Sequence, residues 1–156
     1  MRKGTSGVEK PARPLSFPIL PVMTEIEILN PEAVRPPAGT YSHVARVPPG
    51  ASLVVIAGQV GVTPDGTLDP DFEAQCDQVF ANLGAALEAS GAGWANVIQT
   101  MTFLTRREDI PRLRAWRERE FGRLFPDGRY PPSTLLVVSG LASEEMLIEA
   151  QAMAAK

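Results

Sequence analysis

The 156-residue chain has few of the residues that build disulfides and metal sites. It contains one cysteine, Cys76, and one histidine, His43. A disulfide within the chain is therefore excluded, and so is a zinc site built on several cysteines or histidines. Because Cys76 lies among apolar helix positions, we expect it to be a small buried hydrophobic residue. Nothing in the cysteine usage requires an oxidising compartment.

Long apolar runs and an excess of positive charge are missing as well. No run approaches the roughly 18 apolar residues that a membrane span needs, and four prolines interrupt any secretory segment near the N-terminus. We therefore expect a cytoplasmic protein with no membrane partner. The formal net charge is -3, which argues against a nucleic-acid partner. The arginines between Arg106 and Arg119 alternate with acidic residues, which favours a solvated helix face over a basic patch.

The N-terminal 22 residues differ in composition from the rest of the chain. Residues 1–22 are rich in proline, serine, glycine and lysine and show no periodicity, which predicts a disordered or loosely packed arm. Clean alternation of apolar and polar residues begins at Met23 in "MTEIEILNP" and predicts a strand. We therefore expect the domain to span 23–156. Met23 is a candidate for the true start, which would make the arm an upstream artefact.

The pattern after the first strand predicts strands followed by a helix. "YSHVARV" and "SLVVIAGQVGV" predict a pair of strands joined by a turn at Pro48-Pro49-Gly50. Asp69-Pro70-Asp71 is typical of a helix start, and Ser90-Gly91 of a helix end. Between them one apolar stripe recurs at helical spacing: Phe72, Cys76, Val79, Phe80, Leu83 and Leu87.

The second half predicts a strand, a helix and two further strands. "NVIQTMTFLT" (96–105) is a strand pattern, and Asp109 opens a helix whose apolar stripe also contains Arg117. We expect Arg117 to reach solvent along that stripe or to meet a partner subunit. Strands at 134–139 and 146–153 complete an α+β domain with both helices on one sheet face. Both faces of the last strand are largely apolar, which predicts that self-association covers the second face.

Glu149 is the strongest candidate for catalysis. It lies between Ile148 and Ala150 on this last strand, where a buried carboxylate must be paired or hydrogen-bonded. A carboxyl group in such surroundings can act as a general acid or base near neutral pH. The competing interpretation is a salt bridge to an arginine across a subunit interface.

Three other positions have a functional and a structural interpretation. Ser133, after two prolines, can offer a hydroxyl or an N–H group to a ligand, or it merely begins a strand. Gly58 interrupts an apolar strand, which indicates a bulge or a close backbone approach. Tyr41 can hydrogen-bond a substrate or pack in a core or an interface.

Five blocks of the sequence, taken in order, resemble the RidA (YjgF/YER057c) family of reactive-intermediate deaminases. The resemblance as a whole runs from about Thr24 to the C-terminus. The five blocks are "TYSHVARV", "VVIAGQVGVTPDGTL", "FEAQCDQVFANLGAALEASGAGWANVIQTMTFLT", "YPPSTLLVV" and "LIEAQAMA". The resemblance implies a chorismate-mutase-like fold, a homotrimer with small-molecule clefts between subunits, and no metal or cofactor. It also implies hydrolysis of enamines or imines to keto acids and ammonia. By motif, Glu149 positions the attacking water, Tyr41 lines the cleft, and Ala57-Gly58-Gln59 matches a Ser-Gly-Gln block.

The chain departs from the family where an arginine grips the substrate carboxylate. That arginine falls on Pro132, or on Ser133 if the register slips by one residue, and neither holds an anion by charge. Ala57 replaces a serine, and His43 replaces a common glutamine. The predicted cleft has Glu149 as its catalytic residue and the following substrate-binding residues: Tyr41, Ala57, Gly58, Arg129, Pro132, Ser133 and Thr134.

Three explanations for the missing arginine stay open. In the first explanation, Arg129 takes the place of the missing arginine from three residues upstream. A guanidinium displaced in this way would not reproduce the fixed geometry with which the family's arginine holds the carboxylate. Alternatively, the cleft takes a less anionic imine, enamine or related metabolite, with Glu149 still activating water. In the third explanation the trimer binds or regulates without catalysis. We favour the second explanation over the third, and both over the standard 2-imino-acid deaminase. Ribonuclease activity, described for some members, is disfavoured by the acidic charge balance.

Overall fold

The computed structural model describes residues 23–156, so the predicted arm at 1–22 lies outside the described residues. Two helices and six strands follow one another in this part of the chain. In chain order the elements are β1 Glu27–Leu29, β2 Val44–Arg46, β3 Leu53–Val60, α1 Phe72–Ala89, β4 Val97–Leu104, α2 Ile110–Leu124, β5 Ser133–Val137 and β6 Ile148–Ala155. Two short 3₁₀ turns, Trp94–Asn96 and Arg107–Asp109, precede β4 and α2.

The four longer strands form one mixed sheet in the order β3-β6-β4-β5. β6 runs antiparallel to both of its neighbours, whereas β4 and β5 are parallel. The parallel pair is connected through α2, the crossover that parallel strands require. The α+β class predicted from the sequence is confirmed.

The predicted pairing of the second and third strands is wrong. β2 pairs with β1 in a separate two-stranded sheet, and β3 pairs with β6 from the far end of the chain. Consecutive prolines at 48 and 49 supply no N–H groups for a ladder, so the segment between the strands is a poor hairpin. Gly50 then turns the chain away with a φ of 83°.

The helices begin and end close to the positions that the sequence predicts. The Asp71 carboxylate caps α1 by accepting hydrogen bonds from the backbone N–H groups of Glu73 and Ala74. Ser90 ends the helix, and Gly91 follows with a φ of 70°. Asp109 is the N-cap residue of α2, and Pro111 lies in its first turn.

The helices cover one face of the sheet, which we call the core face. The other face is uncovered, and we call it the open face. The core face of β6 consists of alanines and Ile148, which pack in one cluster with side chains of both helices, including Leu83 and Trp116. The open face exposes apolar side chains, with Val55 at 73% and Leu53 at 59% of their full accessibility. This matches the expectation of a sheet that needs a second layer. Among residues 23–156 no helix is long and apolar enough to span a membrane.

Candidate functional site

The corner before β5 is held in place by backbone hydrogen bonds from two directions. Ser42 N–H donates to the carbonyl of Pro131 at 3.3 Å, and Thr100 N–H donates to the carbonyl of Pro132 at 2.9 Å. Ser42 and Pro132 also form a parallel bridge. Because prolines have fixed φ angles, the corner is a rigid support. It brings the segment containing Tyr41 next to the start of β5.

A cavity of about 250 Å³ lies beside this corner, on the core face of β5. We call it the corner pocket. Its volume is slightly below the roughly 300 Å³ at which typical ligand pockets begin, so it suits a small metabolite. One wall is the loop before β2, another is α2, and the floor is β5. The lining residues are Ala38, Gly39, Thr40, Tyr41, Ile110, Leu113, Arg114, Arg117, Ser133 and Leu135.

Arg117 of α2 brings a positive charge to the corner pocket. Its guanidinium donates to the Thr102 hydroxyl at 2.7 Å and to the Ser133 hydroxyl at 3.4 Å. It also lies over the Phe121 ring, 5.2 Å from the ring centroid. The side chain is only 9% exposed. Of the two expectations from the sequence for Arg117, the first, that it reaches solvent, is wrong. The second, that it meets a partner subunit, stays a prediction.

Arg117 is a buried charge without a charged partner. Among residues 23–156 no carboxylate forms a salt bridge with it, and its Nε–H has no acceptor. Burial lowers the pKa of its guanidinium to about 10, so the group is still a cation at neutral pH. A buried cation of this kind is costly unless an anion joins it.

Glu149 lies elsewhere, on the open face of β6 beside Gly58. The register of β3 against β6 shifts between Ile56 and Gln59, so the bulge predicted at Gly58 is confirmed. A Cβ atom on Gly58 would overlap the Glu149 carboxylate, so the close approach is also confirmed. In the described part of the chain this carboxylate makes no hydrogen bond or salt bridge, and Glu149 is half-buried.

The predicted site residues thus fall into two groups within one chain. Tyr41 and Ser133 line the corner pocket, and Pro132 forms its support, all on the side of the core face. Thr134 and Glu149 belong to the open face, because Thr134 pairs with Met101 and Met101 pairs with Gln151, which is two residues from Glu149. Exposed Ala57 precedes Gly58 on β3. The sheet separates the two groups.

Arg129 and His43 lie apart from the corner pocket's lining. Arg129 donates to the backbone carbonyl of Ile26 and lines a groove with Ile26 and Phe125. One ring nitrogen of His43, Nε2, lies 2.7 Å from the carbonyl oxygen of Arg35. In the range 23–156 no three His, Cys, Asp or Glu side chains are grouped so that they could hold a metal ion.

Arg117 is the site residue that the candidate list from the sequence does not contain. The corner itself has no arginine, as the sequence indicates, but a guanidinium reaches it from another element. One signal in the sequence pointed to it, namely an arginine within an otherwise apolar helical stripe. Only the packing of α2 against β4 and β5 shows which hydroxyl groups that arginine contacts.

Comparisons with known proteins agree on one family. Residues 32–156 match the model of the family described as Endoribonuclease L-PSP. The chain is 32% identical to the RutC family protein YjgH of Escherichia coli over 72% of its length and 88% of the relative. It is 26% identical to a Dermatophagoides farinae protein named 2-iminobutanoate/2-iminopropanoate deaminase, over 67% of the chain and 80% of the relative.

A solved structure gives the same result for the fold. The Yersinia pestis protein YyfB, of the conserved Rid protein family, superimposes with a TM-score of 0.75. The two proteins are 29% identical, and the match covers 85% of this chain and 99% of that one.

Proposed function

The chain belongs to the RidA (YjgF) family, and on this premise we propose that it hydrolyses a small imine or enamine, with Glu149 activating the attacking water. The observation that carries the proposal is the position of Glu149. Its carboxylate has no partner within the described chain and lies against the backbone at Gly58. By the family resemblance, Glu149 matches the glutamate that positions the attacking water. The deaminase name of the Dermatophagoides farinae relative supports the same reaction class.

The reaction that we propose needs a single carboxylate. Glu149 accepts a proton from water as the oxygen forms a bond to the imine carbon, and the C=N π electrons pass to nitrogen, which then takes that proton from Glu149 to give the carbinolamine. In the second step Glu149 accepts the hydroxyl proton as the C=O bond forms and the C–N bond breaks, and it passes this proton to the departing nitrogen, which leaves as ammonia. An enamine reaches the same path after protonation of its carbon gives the imine. Water is the only co-reactant.

We propose that each cleft uses two subunits. Glu149 and the corner pocket lie on opposite faces of one sheet, so a ligand cannot contact both groups within one chain. A cleft that contains both must take Glu149 from one copy and Tyr41 with Ser133 from another. The exposed apolar open face supports association of copies, and the family resemblance favours a homotrimer.

The test is hydrolysis of a freshly generated 2-imino acid, such as 2-iminobutanoate, and of an uncharged imine of similar size. We expect the protein to accelerate ammonia release from at least one of them. The Glu149→Gln variant keeps the size of the side chain but cannot accept the proton, so we expect a loss of roughly 100- to 10,000-fold in kcat. The matched control is Glu88→Gln, an exposed glutamate on α1.

Three outcomes would contradict the proposal. Equal rates for the wild type and Glu149→Gln would exclude the proposed role of Glu149. No acceleration of either substrate would favour the alternative function, a non-catalytic trimer that binds a small ligand. A Glu88→Gln variant that lost activity to the same extent would indicate a general effect of charge instead of a role specific to Glu149.

A further inference from the structure

We propose that Arg117 is the ligand's anion-binding residue, so that a guanidinium from α2 replaces the arginine missing from the corner before β5. The inference deepens the proposed function and rests on it for the identity of the ligand class. It assigns to the corner pocket a small ligand with a carboxylate group. The substrate is then an anionic imine or enamine, which revises the expectation of a less anionic ligand.

The first argument is the position of Arg117. The absent arginine falls on Pro132 or Ser133, and the Arg117 guanidinium donates to the Ser133 hydroxyl itself. The positive charge of Arg117, from α2, therefore lies at the corner position where the family has an arginine on the strand. Tyr41 lines the same cavity and can hydrogen-bond the ligand.

The second argument is the unused bonding capacity of Arg117. A guanidinium has five N–H donors, and this one makes only two hydrogen bonds, both to neutral hydroxyl groups. Its Nε–H is buried and has no acceptor among the described residues. A ligand carboxylate supplies both the negative charge and the acceptor oxygens that such a group lacks.

The third argument is a contrast among the arginines of α2. Arg112, Arg119 and Arg123 each form a salt bridge with an aspartate or glutamate, as arginines on a solvated helix do. Arg114 and Arg117 form none within residues 23–156, and these two line the corner pocket. The two arginines of α2 that form no salt bridge in this range are therefore the two that line the corner pocket. Exposed Arg114 at the rim would attract an anion that Arg117 then binds.

The test is equilibrium binding by calorimetry, with two stable probes that differ in charge. 2-Oxobutanoate carries the carboxylate, and 2-oxobutanamide replaces it with a neutral amide of similar size. We expect the wild type to bind the carboxylate roughly 10- to 100-fold more tightly, as for hydrogen bonds to a charged group. Arg117→Met should remove that preference. Arg123→Met, which changes an exposed arginine of the same helix outside the corner pocket, is the matched control and should keep it.

Stability measurements separate a binding role from a structural one. If Arg117 exists to bind a ligand, Arg117→Met should be at least as thermally stable as the wild type, because it removes a buried unpaired charge. A clear fall in the melting temperature together with unchanged probe preference would overturn the proposal. In the wild type, the NMR signal of the Arg117 Nε–H should shift with 2-oxobutanoate and not with the amide. This measurement does not depend on any variant that fails to fold.

The two proposals can fail separately. In one case the protein hydrolyses neither imine but still binds 2-oxobutanoate more tightly than the amide, and Glu149→Gln keeps this preference. That result would refute the catalytic function and leave Arg117 as the anion-binding residue. Hydrolysis with equal binding of the two probes would refute the role of Arg117 and leave the catalytic function.

Discussion

At the scale of single residues, Gly58 controls where the Glu149 carboxylate lies. The bulge of β3 brings the Gly58 backbone against the end of the Glu149 side chain, and the absence of a Cβ atom leaves that space open. The neighbouring atoms belong to the flexible end of Glu149 and not to the backbone. A larger residue at 58 would therefore displace the carboxylate without breaking the sheet.

We predict that Gly58→Ala lowers kcat by roughly 10- to 100-fold, because displacing a catalytic group by about 1 Å has effects of that size. The melting temperature should change little, since Glu149 can adopt another rotamer. Steady-state hydrolysis and a thermal melt measure the two effects. Gly140→Ala is the control, because a Cβ atom there meets nothing within 4 Å. A variant with full activity would show that the position of Glu149 does not matter.

The sequence could predict individual site residues better than their grouping. Glu149, Gly58 and Tyr41 each have a local signal: a carboxylate on an apolar strand, a glycine in a strand and a tyrosine before a strand. Arg117 has only the signal of a charge within an apolar stripe. Its contact with Ser133 joins positions 16 residues apart on two elements, and local patterns carry no information on such a contact.

At the scale of elements, buried Gln75 joins the start of α1 to the start of β6. Its Nε2 donates to the carbonyls of Asp69 at 2.8 Å and Glu145 at 2.9 Å, and its Oε1 accepts from Leu147 N–H at 2.8 Å. Three backbone groups are thus satisfied by one side chain. Gly61 permits this arrangement, because a Cβ atom there would lie 2.8 Å from the Gln75 Cβ.

We predict that Gln75→Met lowers the free energy of unfolding by roughly 2–5 kcal/mol, because the variant leaves buried backbone groups without partners. Urea unfolding followed by tryptophan fluorescence measures the change. Gln78→Met on the same helix is the control, since that side chain makes one hydrogen bond, to Asn82, and should cost about 1 kcal/mol or less. Equal losses of unfolding free energy in the two variants would contradict the proposed role of Gln75 in joining α1 to β6.

Helices were easier to predict than strand partners, for a physical reason. The limits of α1 follow from its apolar stripe, the Asp71 cap and Gly91, which are all local features. The partner of β3 is β6, and the register between them joins Leu53 to Ala155 across most of the chain. Alternation identifies a strand, but it does not identify the strand beside it. The predicted pairing of β2 with β3 failed for this reason.

At the scale of the whole molecule, the open face is the surface through which we propose that copies of the chain associate. Val55 and Leu53 are more than half exposed on the same face as Glu149, which is an unfavourable surface for a single copy in water. We predict that Val55→Asp converts the proposed trimer to monomers, because it places a charge in an apolar interface. Light scattering after size exclusion should show the mass of one chain instead of three. Val34→Asp, an exposed valine outside the sheet, is the control and should leave the mass unchanged.

A mixing experiment would show whether each cleft takes its groups from two subunits. At substrate concentrations well below KM, Glu149→Gln and Arg117→Met should each retain only a small fraction of the wild-type activity, since each lacks one half of the cleft. If the halves come from different copies, trimers reassembled from an equal mixture contain clefts that combine intact Glu149 with intact Arg117. Random assembly should restore about a quarter of the wild-type activity. If one copy supplied both groups, no mixed trimer would contain an intact cleft and the mixture would keep the low activity of the single variants. Because the sheet lies between the two groups in a single chain, we expect the activity to return.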